Sequence, residues 1–141
     1  MITKIVPLGA PDTALLHDVT TRFVELNMYK TIDITIYFTK GLTGTKEGII
    51  KILGKAGENG EAKPISFREK MKDGVTFTRI SDGIKNFTID KEVSQMFNFR
   101  VTTEDLIKGG FDRVAIEIPG LALSDVHYSI FGILYSPRYT E

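Results

Sequence analysis

Two histidines, His17 and His127, are all the imidazole chemistry that the 141 residues offer. His17 has Asp18 beside it and Asp12 nearby, and Asp125 lies two positions before His127. Two imidazoles and these carboxylates are ligand types that a metal accepts, or a base with an orienting acid. No spacing fixes them on one face of one element, so they read as loop or strand-edge residues. No serine sits in a Gly-x-Ser-x-Gly elbow. The chain has no cysteine, which excludes thiol nucleophiles, zinc–thiolate sites and disulfides.

The glycine-rich segment from Gly41 to Lys46 has the look of a phosphate cradle. A phosphate loop needs Gly-Lys-Ser/Thr leading into a helix, so that backbone N–H groups and the lysine converge. Here Lys46 follows Thr45 and precedes Glu47 and Gly48, and the segment reads as a surface loop. Asp33 and Glu117 are a carboxylate pair to weigh for glycoside hydrolysis, which needs two acids across one cleft. Both fall on the polar side of alternating strands, where acids are usually solvated. Asn86-Phe87-Thr88 matches a glycosylation sequon, and with no secretory leader expected it reads as a chance match. The expectation is no enzyme, with no catalytic, cofactor-binding or metal-ligating residue and no cofactor.

The elements around these residues are strands. Ile32, Ile34, Ile36 and Phe38 alternate with Thr31, Asp33, Thr35 and Tyr37. Phe97, Phe99 and Val101 alternate with Met96, Asn98 and Arg100, and Val114, Ile116 and Ile118 with Arg113, Ala115 and Glu117. A period of two is the mark of a half-buried strand. Shorter strands are expected near Phe23–Leu26, Ile49–Leu53, from Pro64 to Phe67, over Val75–Ile80 and around Phe87–Ile89. Lys72-Asp73-Gly74 and Ser81-Asp82-Gly83 are turn signals. The one helical segment follows Val101: Thr102 or Thr103 caps it, Glu104 and Asp105 face the positive end of its dipole, and Gly109 stops it. The first eighteen residues, with Pro7, Gly9 and Pro11, promise no regular element.

Strands recurring with turns between them predict an all-β fold, an antiparallel β-sandwich of roughly eight to nine strands, as a jelly roll with one short helix. Residues 1–141 form a single domain, large enough to bury a core without staples. That core is expected to hold Ile32, Ile34, Ile36, Phe38, Phe77, Phe87, Phe97, Phe99, Val114, Ile116 and Ile130. Net charge is zero, which argues against direct nucleic-acid binding. The cluster Lys63, Arg68, Lys70 and Lys72 is broken by Glu61, Glu69 and Asp73 and reads as a solvated edge. The N-terminus has no signal-peptide pattern and no run approaches a membrane helix, so the expectation is a cytoplasmic product without membrane contact.

From Val126 to Tyr135 both sides of the strand are apolar: Val126, Tyr128, Ile130 and Leu134 on one, Phe131, Ile133 and Tyr135 on the other. A sandwich strand needs one apolar face. The second is covered either by the chain's own loops, such as the N-terminal segment, or by another protein. Arg138 and Tyr139 in the tail add residue types common in interface hot spots. The candidate interface is therefore Phe131, Ile133, Tyr135, Arg138 and Tyr139.

Val101 to Leu106, Gly110 to Val114 and the ending Ile133 to Tyr139 together resemble small virion proteins of tailed bacteriophages, of the kind that decorate or cement the head shell. The resemblance spans the last third of the chain and carries over no residue role. It implies a jelly-roll or related sandwich, a homo-oligomer (dimer or trimer), the major capsid protein as partner, and a place on the capsid surface after assembly in the host cytoplasm. The alternative is a carbohydrate-binding or fibre/tail-type β-sandwich module with Tyr29, Tyr37 and Tyr128 as stacking platforms. The absence of tryptophan counts against it. A small β-sandwich enzyme ranks below both.

Overall fold

The computed structural model describes residues 4–9, 13–15, 17–26, 28–41, 45–90, 92–121 and 123–137. They form strands β1 (Lys4–Pro7), β2 (Thr13–Leu15), β3 (Val19–Thr20), β4 (Val24–Glu25), β5 (Tyr29–Phe38), β6 (Lys46–Lys55), β7 (Lys63–Pro64), β8 (Phe67–Lys70), β9 (Phe77–Ile80), β10 (Ile84–Ile89) and β11 (Gln95–Thr102). Helix α1 (Thr103–Ile107), β12 (Arg113–Ile118) and β13 (Leu123–Pro137) follow. The first sheet runs β1-β13-β5-β11-β8-β9, with β2 also on β13. The second runs β10-β6-β12-β3, with β4 on β12 and β7 on β6.

This order is a long two-stranded ribbon wrapped on itself. β1 and β2 lie along β13, β3 and β4 along β12, β5 along β11, and β6 along β10, all antiparallel. Wrapping then brings β13 against β5 and β12 against β6. Nested pairing of first with last, followed by closure into two sheets, is the jelly roll. The hairpin β8–β9 is inserted where the ribbon doubles back and extends the first sheet beyond β11.

The alternations place the core where the sequence puts it. Ile32, Ile34, Ile36 and Phe38 are fully buried from the first sheet, facing Ile50, Ile52, Val114, Ile116 and Ile118 of the second. Phe38 stacks on Phe87 at 4.7 Å between centroids, and Phe67 meets Phe99 edge-on at 4.9 Å. Each such side chain contributes about 1.5–3 kcal/mol by leaving water. Gly132 faces inward on β13, where an added Cβ would lie 2.9 Å from Ile32 Cδ1. The gap in that apolar row is filled by a neighbour rather than left empty.

Phe77 departs from the expected core. It pairs with Lys70 on the outward side of β9, and its ring lies under the Arg100 guanidinium at 4.6 Å. The strand starts at Phe77 rather than Val75, which is exposed, because Asp73 takes Val75 and Thr76 into the turn. Both of their N–H groups donate to Asp73 Oδ1 at 2.8 Å, and hydrogen bonds, the Thr76 hydroxyl's first, lower the Asp73 carboxyl to about 2. The first eighteen residues include two strands that their breakers do not suggest, β1 and β2, and Val6, Leu8 and Leu15 are buried.

Thr102 caps α1 in a reciprocal box with Asp105: the Asp105 N–H donates to Thr102 Oγ1, and the Thr102 N–H to Asp105 Oδ2. The positive φ after the helix falls on Gly110 (77°), one residue beyond the expected Gly109.

Candidate interface on the outer face of the first sheet

Register fixes which side chains share the outer face. One transverse row reads Ile5, Ile133, Asp33, Arg100 and Arg68, from β1 to β8. The next reads Pro7, Phe131, Thr35 and Asn98, and the third Ser129, Tyr37 and Met96. Directly opposed side chains on one face touch, and diagonal ones are within reach of aromatic or long side chains. Ile5, Ile133, Phe131, Tyr37 and Met96 therefore form one continuous patch. Ile5 is 72% exposed, Met96 62%, Phe131 40% and Tyr37 39%, whereas Ile133 is half-buried.

Polar groups pin the middle of this face. Arg100 Nε and Nη2 donate to Asp33 Oδ1 and Oδ2 at 2.8 and 3.0 Å, a two-pronged pairing across β5 and β11. The Tyr135 hydroxyl accepts from Arg100 and donates to Asp33. Burial first, and then the bond to Asp33, push the Tyr135 hydroxyl up to about 12. The same carboxylate raises Arg100 above its ordinary value. The guanidinium is held between the Phe77 ring and the Tyr135 ring, the latter 5.5 Å away. Beside it, Thr35 Oγ1 donates to Asn98 Oδ1 at 2.9 Å. The arrangement is a rigid charged cluster bordered by exposed apolar and aromatic surface, which suits adhesion.

The expected interface residues divide accordingly. Phe131 is exposed on this face, Ile133 is wedged between Ile5 and Asp33, and Tyr135 is tied into the ion cluster. Arg138 and Tyr139 lie outside the described residues. Of the two covers weighed for the second apolar side of β13, the N-terminal segment supplies neither strand across it: β1 and β2 pair along its edge. Reading β13 alone missed Ile5, Tyr37, Met96 and the Asp33–Arg100 pair, which only strand pairing brings alongside.

Other sequence candidates are dispersed. Among the described residues no three His, Asp or Glu side chains are grouped to hold a metal. Asp33 and Glu117 lie on the outer faces of opposite sheets, with the core between them. Lys46 of the glycine-rich segment donates to the Leu121 carbonyl at 2.6 Å, and residues 42–44 lie outside the described set. The three tyrosines do not form a platform: Tyr128 is buried at 8% exposure, Tyr29 packs against the core, and only Tyr37 shows its ring on this face. Among the described residues no helix is long and apolar enough to cross a membrane.

No family model matches the chain, and no curated protein matches it in sequence. Solved structures do share its fold. The SPBc2 prophage-derived protein YomS superposes with a TM-score of 0.58 at 14% identity, over 96% of this chain and 94% of that one. The PBSX exported protein XepA gives the same score and identity over 96% of this chain, which spans 38% of XepA. A chain of infectious bursal disease virus, strain Gx, is a looser likeness (TM-score 0.49, 11% identity, over 94% of this chain and 31% of that one). At these identities the likeness is one of fold. The shared fold is the β-sandwich that the resemblance drawn from the last third of the sequence implies.

Proposed function

We propose that this chain is a structural protein of a phage particle, a decoration or cement protein of the head. It self-associates as a dimer or trimer on the capsid surface and clamps major capsid subunits, after assembly in the host cytoplasm. Its work is adhesion, without catalysis or cofactor. The observation that carries this reading is the continuous exposed patch of Ile5, Phe131, Tyr37 and Met96 around a fixed ion cluster. Patches of this kind mark protein–protein contact. A stiff jelly roll in many symmetric copies needs only modest contacts, because multivalency multiplies them. The fold shared with a prophage-derived protein of nearly the same length supports the setting.

The test is solution mass by light scattering, together with co-sedimentation on purified heads of the phage that encodes the chain. A dimer or trimer that sediments with heads is expected. Ile5→Ser combined with Phe131→Ser should weaken both contacts by about tenfold or more while leaving the unfolding midpoint nearly in place. A monomer that binds no heads overturns the reading, and a monomer that binds glycans on an array replaces it with the carbohydrate-binding module.

A further inference from the structure

Strand β11 has two sides, and one is only half used. Toward β5 it pairs along its whole length, from Gln95↔Phe38 to Thr102↔Thr31. Toward β8 it pairs only at Phe99↔Glu69 and Arg100↔Arg68. Past Glu69 no further β8–β11 pairing is found among the described residues, while β8 pairs with β9 as far as Lys70↔Phe77. Among the described residues, Gln95–Asn98 thus have a strand partner on one side alone. Alternate residues of a strand direct their N–H and C=O to the same side, so two of these four offer a donor and an acceptor to the open side.

A groove of about 610 Å³ lies along that open edge. It is lined by Lys70, Met71 and Lys72 of the hairpin, Lys85 of β10, and Met96 and Phe97 of β11. Met71 and Met96 are exposed, and methionine adapts to varied apolar partners. The charge in the groove is one-sided. Among the described residues that line it the one acid, Glu69, is held by Lys85 at 2.9 Å, while Lys70 and Lys72 are exposed.

We infer that this half-open edge of β11 is a strand-addition site for an extended acidic segment of a partner protein. Backbone pairing at Gln95–Asn98 supplies the register, the methionines receive alternate apolar side chains, and the lysines select acidic ones. The site is separate from the adhesive patch except at Met96, and it stands whether or not that patch binds heads.

The test uses the full chain and a short labelled peptide of alternating glutamate and valine, read by fluorescence anisotropy and by amide hydrogen exchange. Binding is expected, with exchange slowed within Gln95–Asn98. Lys70→Glu with Lys72→Glu should weaken it by about tenfold or more, and so should a lysine–valine peptide or one methylated on its backbone nitrogens. The Ile5→Ser, Phe131→Ser protein should bind the acidic peptide unchanged. Absence of binding, or binding indifferent to the lysines and to backbone methylation, overturns the proposal and leaves the lysines as guards against edge pairing. Protection of these amides that rises with protein concentration, without peptide, overturns it in favour of a second copy.

Discussion

The two outer faces of the sandwich are built from the same strand grammar and finished differently. On the second sheet the outward charges form surface pairs: Lys51 with Glu117 at 3.6 Å and Arg113 with Glu25 at 2.9 Å. Its outward apolar residues are covered, Leu53 and Ala115 being buried and Ile49 half-buried. On the first sheet a single tight cluster of Asp33, Arg100 and Tyr135 is surrounded by apolar and aromatic side chains left in solvent. A face that only has to be wet is served by exchangeable surface pairs. Recognition as proposed would use fixed geometry beside exposed apolar surface, and among the described residues the first sheet combines the two.

That contrast presupposes one shared core, and the largest expected effect is the one that removes it. Ile34 is fully buried and opposite Gly132, one position along β13 from exposed Phe131. Ile34→Asp puts an unpaired carboxylate between the sheets, costing several kcal/mol and blocking folding. Phe131→Asp puts the same group one residue away on the other side of the sheet and leaves a cooperative unfolding transition in circular dichroism. If both variants fold, or neither does, the division of β13 into a core face and an outer face is wrong.

The next effect separates the two outer faces. Asp33→Ala leaves the half-buried Arg100 guanidinium without its two-pronged acceptor and the Tyr135 hydroxyl without its own. The expected loss is about 1 kcal/mol in denaturant unfolding. Glu117→Ala breaks one long, single-pronged pair on the second sheet, as half-buried as the first but at 3.6 Å, and should change stability by less than about 0.5 kcal/mol. Equal losses would mean that the cluster on the first sheet is an ordinary surface pairing.

Most of the fold is legible in the sequence because its strongest signal is period two. Ile32 to Phe38, Phe97 to Val101 and Val114 to Ile118 each reveal strand and facing at once, and Thr102 with Asp105 reveals the helix start. Phe77 escapes that logic: an aromatic in an alternating run reads as core, yet this hairpin lies at the sheet margin, where its ring serves Arg100 instead. The adhesive face is half legible. The second apolar side of β13 is visible in one strand, but Ile5 and Met96 join it from residues distant in sequence through pairings no local pattern encodes. The open edge of β11 is not legible at all, since it depends on where β8 stops.

The smallest effect tests whether the cluster is coupled to folding, and its sign follows from Tyr135. The hydroxyl titrates near 10.0 when unfolded and at about 12 in the native protein, through burial and its bond to Asp33. Below the first value both states keep the proton, and the contribution to stability is complete. Between the two values the unfolded chain has released a proton that the folded chain retains, so the unfolded state binds fewer protons and stability falls as pH rises. The denaturation midpoint should therefore decline more steeply over that window in the native protein than in Tyr135→Phe, which has no phenolic proton to lose. Lysine and arginine titrations are common to both proteins and cancel in the difference. Because Tyr135 is only half-buried and water screens part of its surroundings, the difference should be small, with its direction carrying the information. Parallel slopes would show that the Tyr135 hydroxyl titrates alike in both states. The aromatic border of Arg100 would then be packing alone, and the first sheet's outer face would owe its rigidity to the Asp33–Arg100 pair.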